Sequence, residues 1–271
     1  MVDPVELPDA IRHATLFPQS DLSDFPPGHP TRRIQVEGVF VTLPVVLPIG
    51  LVFPERVEES RIEQLVDAVR RALRTEEREQ AIWMVPEASV PDGLAQRLLE
   101  LGMRPNDVPG VEARDAHMVC VEEPPPGPPD LVVRPAENFE EFRAALLVVT
   151  ESFEMDERAW KAFEERAEHL WAFRSDPRSI ETFVAVAGGG VVAFAGARYG
   201  RTAVYLAGGG THPDHRGRGA YRALVRARWD AAVARGTPVM TVGAGAMSRP
   251  ILERLGFSIV GWADNLLDEP G

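Results

Sequence analysis

Ten consecutive residues concentrate the groups that could do chemistry: Thr211-His212-Pro213-Asp214-His215-Arg216-Gly217-Arg218-Gly219-Ala220. An apolar stretch precedes them. Ala220, Leu224, Ala227, Ala231 and Ala234 follow on one helical stripe. The segment therefore joins a strand to a helix. Glycines at 217 and 219 let the backbone turn tightly and let a ligand approach the main chain. The first turn of a helix exposes unpaired N–H groups and carries partial positive charge, which suits a phosphate or pyrophosphate. The local charge agrees. Residues 211–230 hold five arginines (Arg216, Arg218, Arg222, Arg226, Arg228) and two aspartates (Asp214, Asp230), a net of +3 in a chain of net −12. A basic island in an acidic protein points to a phosphate ligand. No Gly-Lys-Ser/Thr follows, so this is not a P-loop. Gly243-Ala244-Gly245 also follows a strand, but it lacks the third glycine and the surrounding unit of a dinucleotide site.

The segment resembles the acetyl-CoA-binding motif of the GNAT superfamily of N-acetyltransferases, V-x-P-x-x-(R/Q)-x-x-G-x-(G/A). Here those positions read Thr211, Pro213, Arg216, Gly219 and Tyr221. Downstream, Pro250-Ile251-Leu252-Glu253-Arg254-Leu255-Gly256-Phe257 resembles the family's fourth helix and the Leu-Gly-Phe that opens its next strand. The resemblance covers residues 131–271. It implies acetyl-CoA as acyl donor, with the pyrophosphate cradled by backbone N–H groups of Arg216, Gly217, Arg218, Gly219, Ala220 and Tyr221. Gly210, Thr211 and His212 would pair with the pantetheine arm and polarise the thioester carbonyl. A free amine would then attack directly, most of the rate coming from positioning and preorganised donors.

Two family groups are missing. The tyrosine that serves as acid for the departing thiolate would stand at Leu252, and the glutamate of the fourth strand at Tyr205 or Ala207. By residue type, Tyr205, His212 and Ser248 are the substitutes, with Tyr199 and His215 behind them. Each has a structural alternative: strand packing, a turn hydrogen bond or a helix cap. The resemblance therefore implies an N-acetyltransferase acting on the amine of a small molecule or peptide. The alternative is a CoA-binding regulatory or interaction module that has lost turnover. A nucleotide-binding protein unrelated to CoA is a third reading.

These residues need elements to position them. The second half reads strand 131–134, helices 139–153 and 157–173, a hairpin of 182–187 and 191–198 turning at Gly188-Gly189-Gly190, a strand to Thr211, the helix after Gly219, strand 239–242, helix 250–255 and strand 257–262. The first half reads as strand 33–42, strand 50–53, a helix carrying Ile62, Leu65, Val66, Val69 and Leu73, strand 81–85, helix 94–101 and strand 116–121. Ser60 and Glu63 have capping-box spacing. Phe17 to Pro30 reads as an irregular arm.

Strands joined through helices predict a mixed α/β (α+β) sheet. Pro124-Pro125-Pro126-Gly127-Pro128-Pro129 reads as a semi-rigid linker. The expected division is 1–123, 124–130 and 131–271. Leu101-Gly102-Met103 stands where Leu255-Gly256-Phe257 stands, and the first unit lacks an Arg-x-x-Gly-x-Gly segment. The expectation is two GNAT-like domains in tandem, the N-terminal one incomplete and without the CoA motif. The aromatic stretch Trp160 to Phe173 falls where the resemblance borders an acceptor pocket.

Composition bounds the rest. Of 271 residues, 45% are hydrophobic and 26% charged, which suits folded domains with real cores. An excess of 41 acidic over 29 basic side chains argues against nucleic acid as partner, and weakly for a cationic acceptor. One cysteine, Cys120, excludes an intramolecular disulfide and a multi-cysteine metal site; it reads as a buried, inert thiol. No metal is expected. Residues 1–10 lack the pattern of a signal peptide, and the apolar run 39–53 is broken by Pro44, Pro48 and Gly50. The expectation is a cytoplasmic monomer or homodimer that does not bind membranes.

Overall fold

The computed structural model describes residues 6–269 apart from 46, 154 and 156. The N-terminal half runs α1 (Asp9–Leu16), α2 (Pro18–Asp21), β1 (Arg32–Val36), β2 (Val39–Leu43), β3 (Ile49–Phe53), α3 (Ile62–Thr75), β4 (Gln80–Pro86), α4 (Leu94–Glu100), β5 (Arg104–Pro105) and β6 (Arg114–Cys120). The C-terminal half runs β7 (Val132–Pro135), α5 (Phe139–Ser152), α6 (Glu157–Ala172), β8 (Glu181–Ala187), β9 (Gly190–Tyr199), β10 (Val204–Thr211), α7 (Ala220–Ala234), β11 (Met240–Ala244), α8 (Arg249–Arg254) and β12 (Ser258–Asp268). The element order of this half is the one expected from the sequence.

All strands join one mixed sheet in the order β1-β2-β3-β4-β12-β6-β11-β10-β9-β8-β7, with β5 on β12. The two halves exchange their last strands. β6 of the first half pairs with β11 of the second, β12 of the second pairs with β4 of the first, and β6 and β12 pair antiparallel between them. Alternation fixes the two faces. Helices α7 and α8 cover one face of the C-terminal half over Met118, Ala195, Leu206, Met240 and Phe257. Helices α3 and α4 cover the N-terminal half over Val41, Val52 and Trp83. The opposite face carries α1, α5 and α6.

Local chemistry departs from the sequence reading in three places. The stretch 33–42 is a hairpin rather than one strand, because Glu37 and Gly38 both take positive φ (49° and 86°) and reverse the chain. The Ser60–Glu63 capping box does not form. Glu59–Arg61 is a 3-10 turn, and the cap of α3 falls on Arg61 with no side-chain bond. The start of the arm is helical rather than irregular, and the short α1 before it lacks the long periodicity that announces a helix.

The arm ties the halves together. The buried carboxylate of Asp21 accepts from the backbone N–H groups of Thr202 (3.0 Å) and Ala203 (3.1 Å) at the β9–β10 turn. Arg33 donates to the carbonyls of Gln19 and Leu22 and pairs with Asp24. Asp21→Ala leaves two donors of that turn unpaired and should lower stability by about 2–4 kcal/mol in urea unfolding. Asp21→Asn keeps one acceptor oxygen and should lose less.

Candidate functional site

The site begins where the sheet opens. β10 and β11 run parallel but pair only at Val204↔Met240 and Tyr205↔Thr241, then continue apart to Thr211 and Ala244. A bulge between Leu206 and Gly209, with Gly208 at φ 79°, bends β10 away. The buried guanidinium of Arg228 on α7 donates to the carbonyls of Gly196 (3.2 Å) and Gly208 (3.3 Å) and holds the bulge from below. The corresponding parallel pair of the N-terminal half, β3 and β4, stays paired over four residues. It offers no such opening.

The turn after β10 rises over this gap. His212 Nδ1 accepts from the Asp214 N–H (3.2 Å), which makes His212 the cap of the 3-10 turn Pro213–His215, and its Nε2 faces Glu151 at 3.2 Å. Gly217 and Gly219 take φ of 76° and 81°. Gly219 is the N-cap of α7 and, having no side chain, supplies no capping bond. The first N–H groups of a 15-residue helix are thereby left to a ligand or to water. Of the five arginines, Arg226 pairs with Asp230 and Glu123, Arg228 is inside, and Arg216 donates to the carbonyls of Thr211 and Ser152. Arg218 and Arg222 have no ion pair among the described residues and stand at the helix start. Open amides, two free cations and a split sheet fit a pyrophosphate with a long arm running into the gap. They fit acetyl-CoA, which would be held by residues 210–212 and 216–221. Tyr221, placed where the motif has a small residue, turns back under β10. Its ring lies 3.3 Å from where a Cβ on Gly209 would stand.

Gly243-Ala244-Gly245 is already filled by protein. The Glu112 carboxylate accepts from the Ala246 N–H at 2.8 Å with both oxygens. Ser248, the third substitute, turns its Oγ toward the Gly245 carbonyl at 3.5 Å. Leu252, on α8, is fully buried in the core.

Tyr205 faces the opposite side of the sheet from α7, at the point where β10 and β11 part. Burial pushes its pKa up to about 12, with the nearby Asp115 acting in the same direction, so it remains a phenol at neutral pH. Its hydroxyl would stand 3.9 Å from a Cβ on Gly243, and Asp115 Oδ2 would stand 3.8 Å from the same point. A phenol and a carboxylate thus flank one small space beside the opening. Asp115 lies on β6 of the N-terminal half, brought here by the strand exchange. Asn265 donates to it at 3.0 Å. Burial raises its pKa, the Asn265 bond opposes this, and the charge of Glu112 adds to it. Asp115 was not among the residues expected from the sequence, where the carboxylate belongs on the fourth strand of 131–271 rather than on a strand of the first half. Tyr199 stands apart, its hydroxyl donating to Glu181. His215 is half-buried on the turn and lies edge-on against His212. Cys120 is buried, and burial drives its thiol up to about 11. Among the described residues no cluster of three or more His, Cys, Asp or Glu could hold a metal ion, and no helix is long and apolar enough to cross a membrane.

Beside Asp115 on β6 sits His117, also on this face and buried. Burial lowers its pKa to about 4, against opposing contacts from the backbone of Thr15 and Leu16. The unfolded imidazole titrates near 6.5. The folded chain refuses a proton that the unfolded chain takes up. Stability is therefore full above about pH 6.5 and falls as the pH drops toward 4. The loss should reach about 3 kcal/mol by pH 4 in urea unfolding, and His117→Leu should remove most of that slope.

A cavity of about 710 Å³ adjoins Tyr205 on the same face. Its walls come from α5, α6, β9 and the bulge, and from Phe53 and Met84 of the N-terminal half. Phe163, Leu170 and Trp171 of the aromatic stretch reach it.

Residues 146–257 match the model of the acetyltransferase (GNAT) family. No curated protein matches the chain by sequence. Among solved structures, a GCN5-related N-acetyltransferase from Kribbella flavida aligns with TM-score 0.68 at 19% identity, covering 96% of each chain. One from Sphaerobacter thermophilus aligns at 0.61 and 18% identity, over 100% of this chain and 95% of that one. A tandem GNAT protein from the clavulanic acid biosynthesis pathway aligns at 0.60 and 17% identity, over 97% and 89%. At such identities these likenesses speak to the fold, and they extend it across both halves. The split strands and the glycine turn thus lie within the segment that matches the acetyltransferase (GNAT) family, and the fold of both halves is that of GCN5-related N-acetyltransferases.

Proposed function

We infer that the chain transfers an acetyl group from acetyl-CoA to the amine of a small molecule or peptide, and that the C-terminal half holds the cofactor. The observation that carries this reading is the parting of β10 and β11, with Tyr205 where they part, Asp115 close by and the uncapped start of α7 beyond the end of β10. Bound acetyl-CoA supplies the acetyl group as an activated thioester. The chain's own residues do the rest. Backbone N–H groups at 216–221 hold the pyrophosphate end. Asp115 would take the proton that the amine gives up as its nitrogen bonds to the acyl carbon and the carbon–sulfur bond breaks, CoA departing as a thiolate that takes its proton from solvent, while Tyr205 stays protonated as a hydrogen-bond donor beside it. The N-terminal half, degenerate as a cofactor site, lends Asp115 and one wall of the acceptor cavity. A division at 124–130 and a cytoplasmic setting belong to the same reading.

The second reading, a CoA-binding module without turnover, is favoured by Leu252, a core residue that cannot serve as an acid for the thiol. The two separate in one experiment. Thermal unfolding with acetyl-CoA, CoA, ATP and NAD should show stabilisation by the first two, and thiol release should then follow on a panel of amines. Stabilisation without thiol release on any amine would favour the module. No shift with acetyl-CoA, at concentrations where a known binder responds, would overturn both.

A further inference from the structure

The cavity beside Tyr205 holds a buried guanidinium to which no carboxylate is bonded among the described residues. Its walls are Phe142, Leu146, Trp171, Phe194, Phe53 and Met84, and among them stands Arg198. Arg198 is 6% exposed and has no carboxylate bonded to it among the described residues. One nitrogen donates to the carbonyls of Ser23 (2.7 Å) and Arg178 (3.4 Å), the guanidinium lies 4.0 Å over the Phe25 ring, and its buried Nε has no partner. The acids near it are engaged elsewhere. Asp24 pairs with Arg33, Asp176 with Arg178, and Glu181 with Arg235 and Tyr199. Asp176 and Glu181 line the cavity too, but both are bonded to other groups. A buried guanidinium with no carboxylate bonded to it is costly, and a bound carboxylate would answer it with paired, charge-assisted bonds. Two further buried atoms lining the cavity, Gln19 Oε1 and Thr42 Oγ1, are also unpartnered. They add acceptor capacity for a ligand N–H.

Register gives the spacing. Arg198 on β9 lies directly opposite Tyr205 on β10. Opposed residues of an antiparallel pair have Cβ atoms roughly 5 Å apart on one face. The unpaired cation is therefore one strand away from the Tyr205–Asp115 space. We propose that the acceptor is an amino acid with a large apolar side chain. Its carboxylate sits on Arg198, its side chain fills the cavity and its amine points to Asp115. The placing of the amine rests on the acetyltransferase reading; the Arg198 anchor does not.

The test separates the two. Calorimetry on the whole protein compares 3-phenylpropionate with 3-phenylpropanamide, which share an apolar body and differ in the charge. The wild type should bind the acid roughly 10- to 100-fold more tightly, the scale of hydrogen bonds to a charged group. Arg198→Met should erase that preference, and Arg198→Lys should keep part of it. Equal affinity for acid and amide in the wild type, binding of neither, or a preference unchanged in Arg198→Met would overturn the anchor. In turnover, L-phenylalanine should be favoured over phenethylamine by a similar ratio, and equal rates would overturn the amino-acid assignment. Carboxylate preference without any acetyl-CoA shift would leave the anchor standing and remove the acetyltransferase reading alone.

Discussion

Asp115→Asn is expected to lower kcat/KM for acetyl transfer by about 10²–10⁴-fold, the range of a lost general base, while acetyl-CoA still stabilises the protein. The substitution is nearly isosteric. Asn265 Nδ2, which donates to Asp115 Oδ2 at 3.0 Å, can donate to an amide oxygen in the same place. What is lost is the capacity to accept a proton. The pH profile separates this role from packing. Burial holds the Asp115 carboxyl above its ordinary range. The carboxylate is the working form, so kcat/KM in the wild type should fall as the pH drops through that raised value. The asparagine variant should lose this acid limb along with the rate. A variant with wild-type kcat/KM and an unchanged acid limb would place the base elsewhere. Tyr205→Phe should cost less, because a phenol pushed up to about 12 donates a bond but does not take the proton at neutral pH.

Asp115 also shows where sequence reading ended. The strand–turn–helix backbone of residues 211–220 was legible because it is local. Glycines at two positions of positive φ, a helix start and a basic island all lie within one short segment. The β-α-α-β-β-β-α-β-α-β order of the second half was legible for the same reason, through periodicity and glycine turns. The carboxylate proposed as the base was not legible. Its position depends on β6 crossing into the sheet of the other half, and no local pattern in residues 114–120 states which strand will be its neighbour. Likewise the arm read as irregular, although its Asp21 binds backbone some 180 residues away. The arginines of the basic island divide by tertiary context alone. Arg228 lies inside and props the bulge, while Arg218 and Arg222 remain outside. Glu37 at positive φ hid a hairpin within a run of strand-forming residues, since glutamate rarely marks such a turn.

The turn itself can be tested with two variants that carry the same backbone strain. Gly217 and Gly236 have φ of 76° and 77°, and a Cβ at either position would meet nothing within 4 Å. Valine at either site should therefore destabilise the free protein similarly, by about 1–2 kcal/mol, the cost of forcing a branched residue into the left-handed region. The two sites differ in what lies beside them. Gly236 follows the C-terminal end of α7, whereas Gly217 stands just before its uncapped N-terminus, between the two unpaired arginines and the split strands. A side chain at 217 enters the space where the pyrophosphate is proposed to lie. At 100-fold above its dissociation constant, acetyl-CoA should add about 2.7 kcal/mol to the stability of the wild type and of Gly236→Val. In Gly217→Val that increment should shrink toward zero. An equal increment in both variants would move the cofactor away from the turn, and with it the argument that the opening between β10 and β11 receives the thioester.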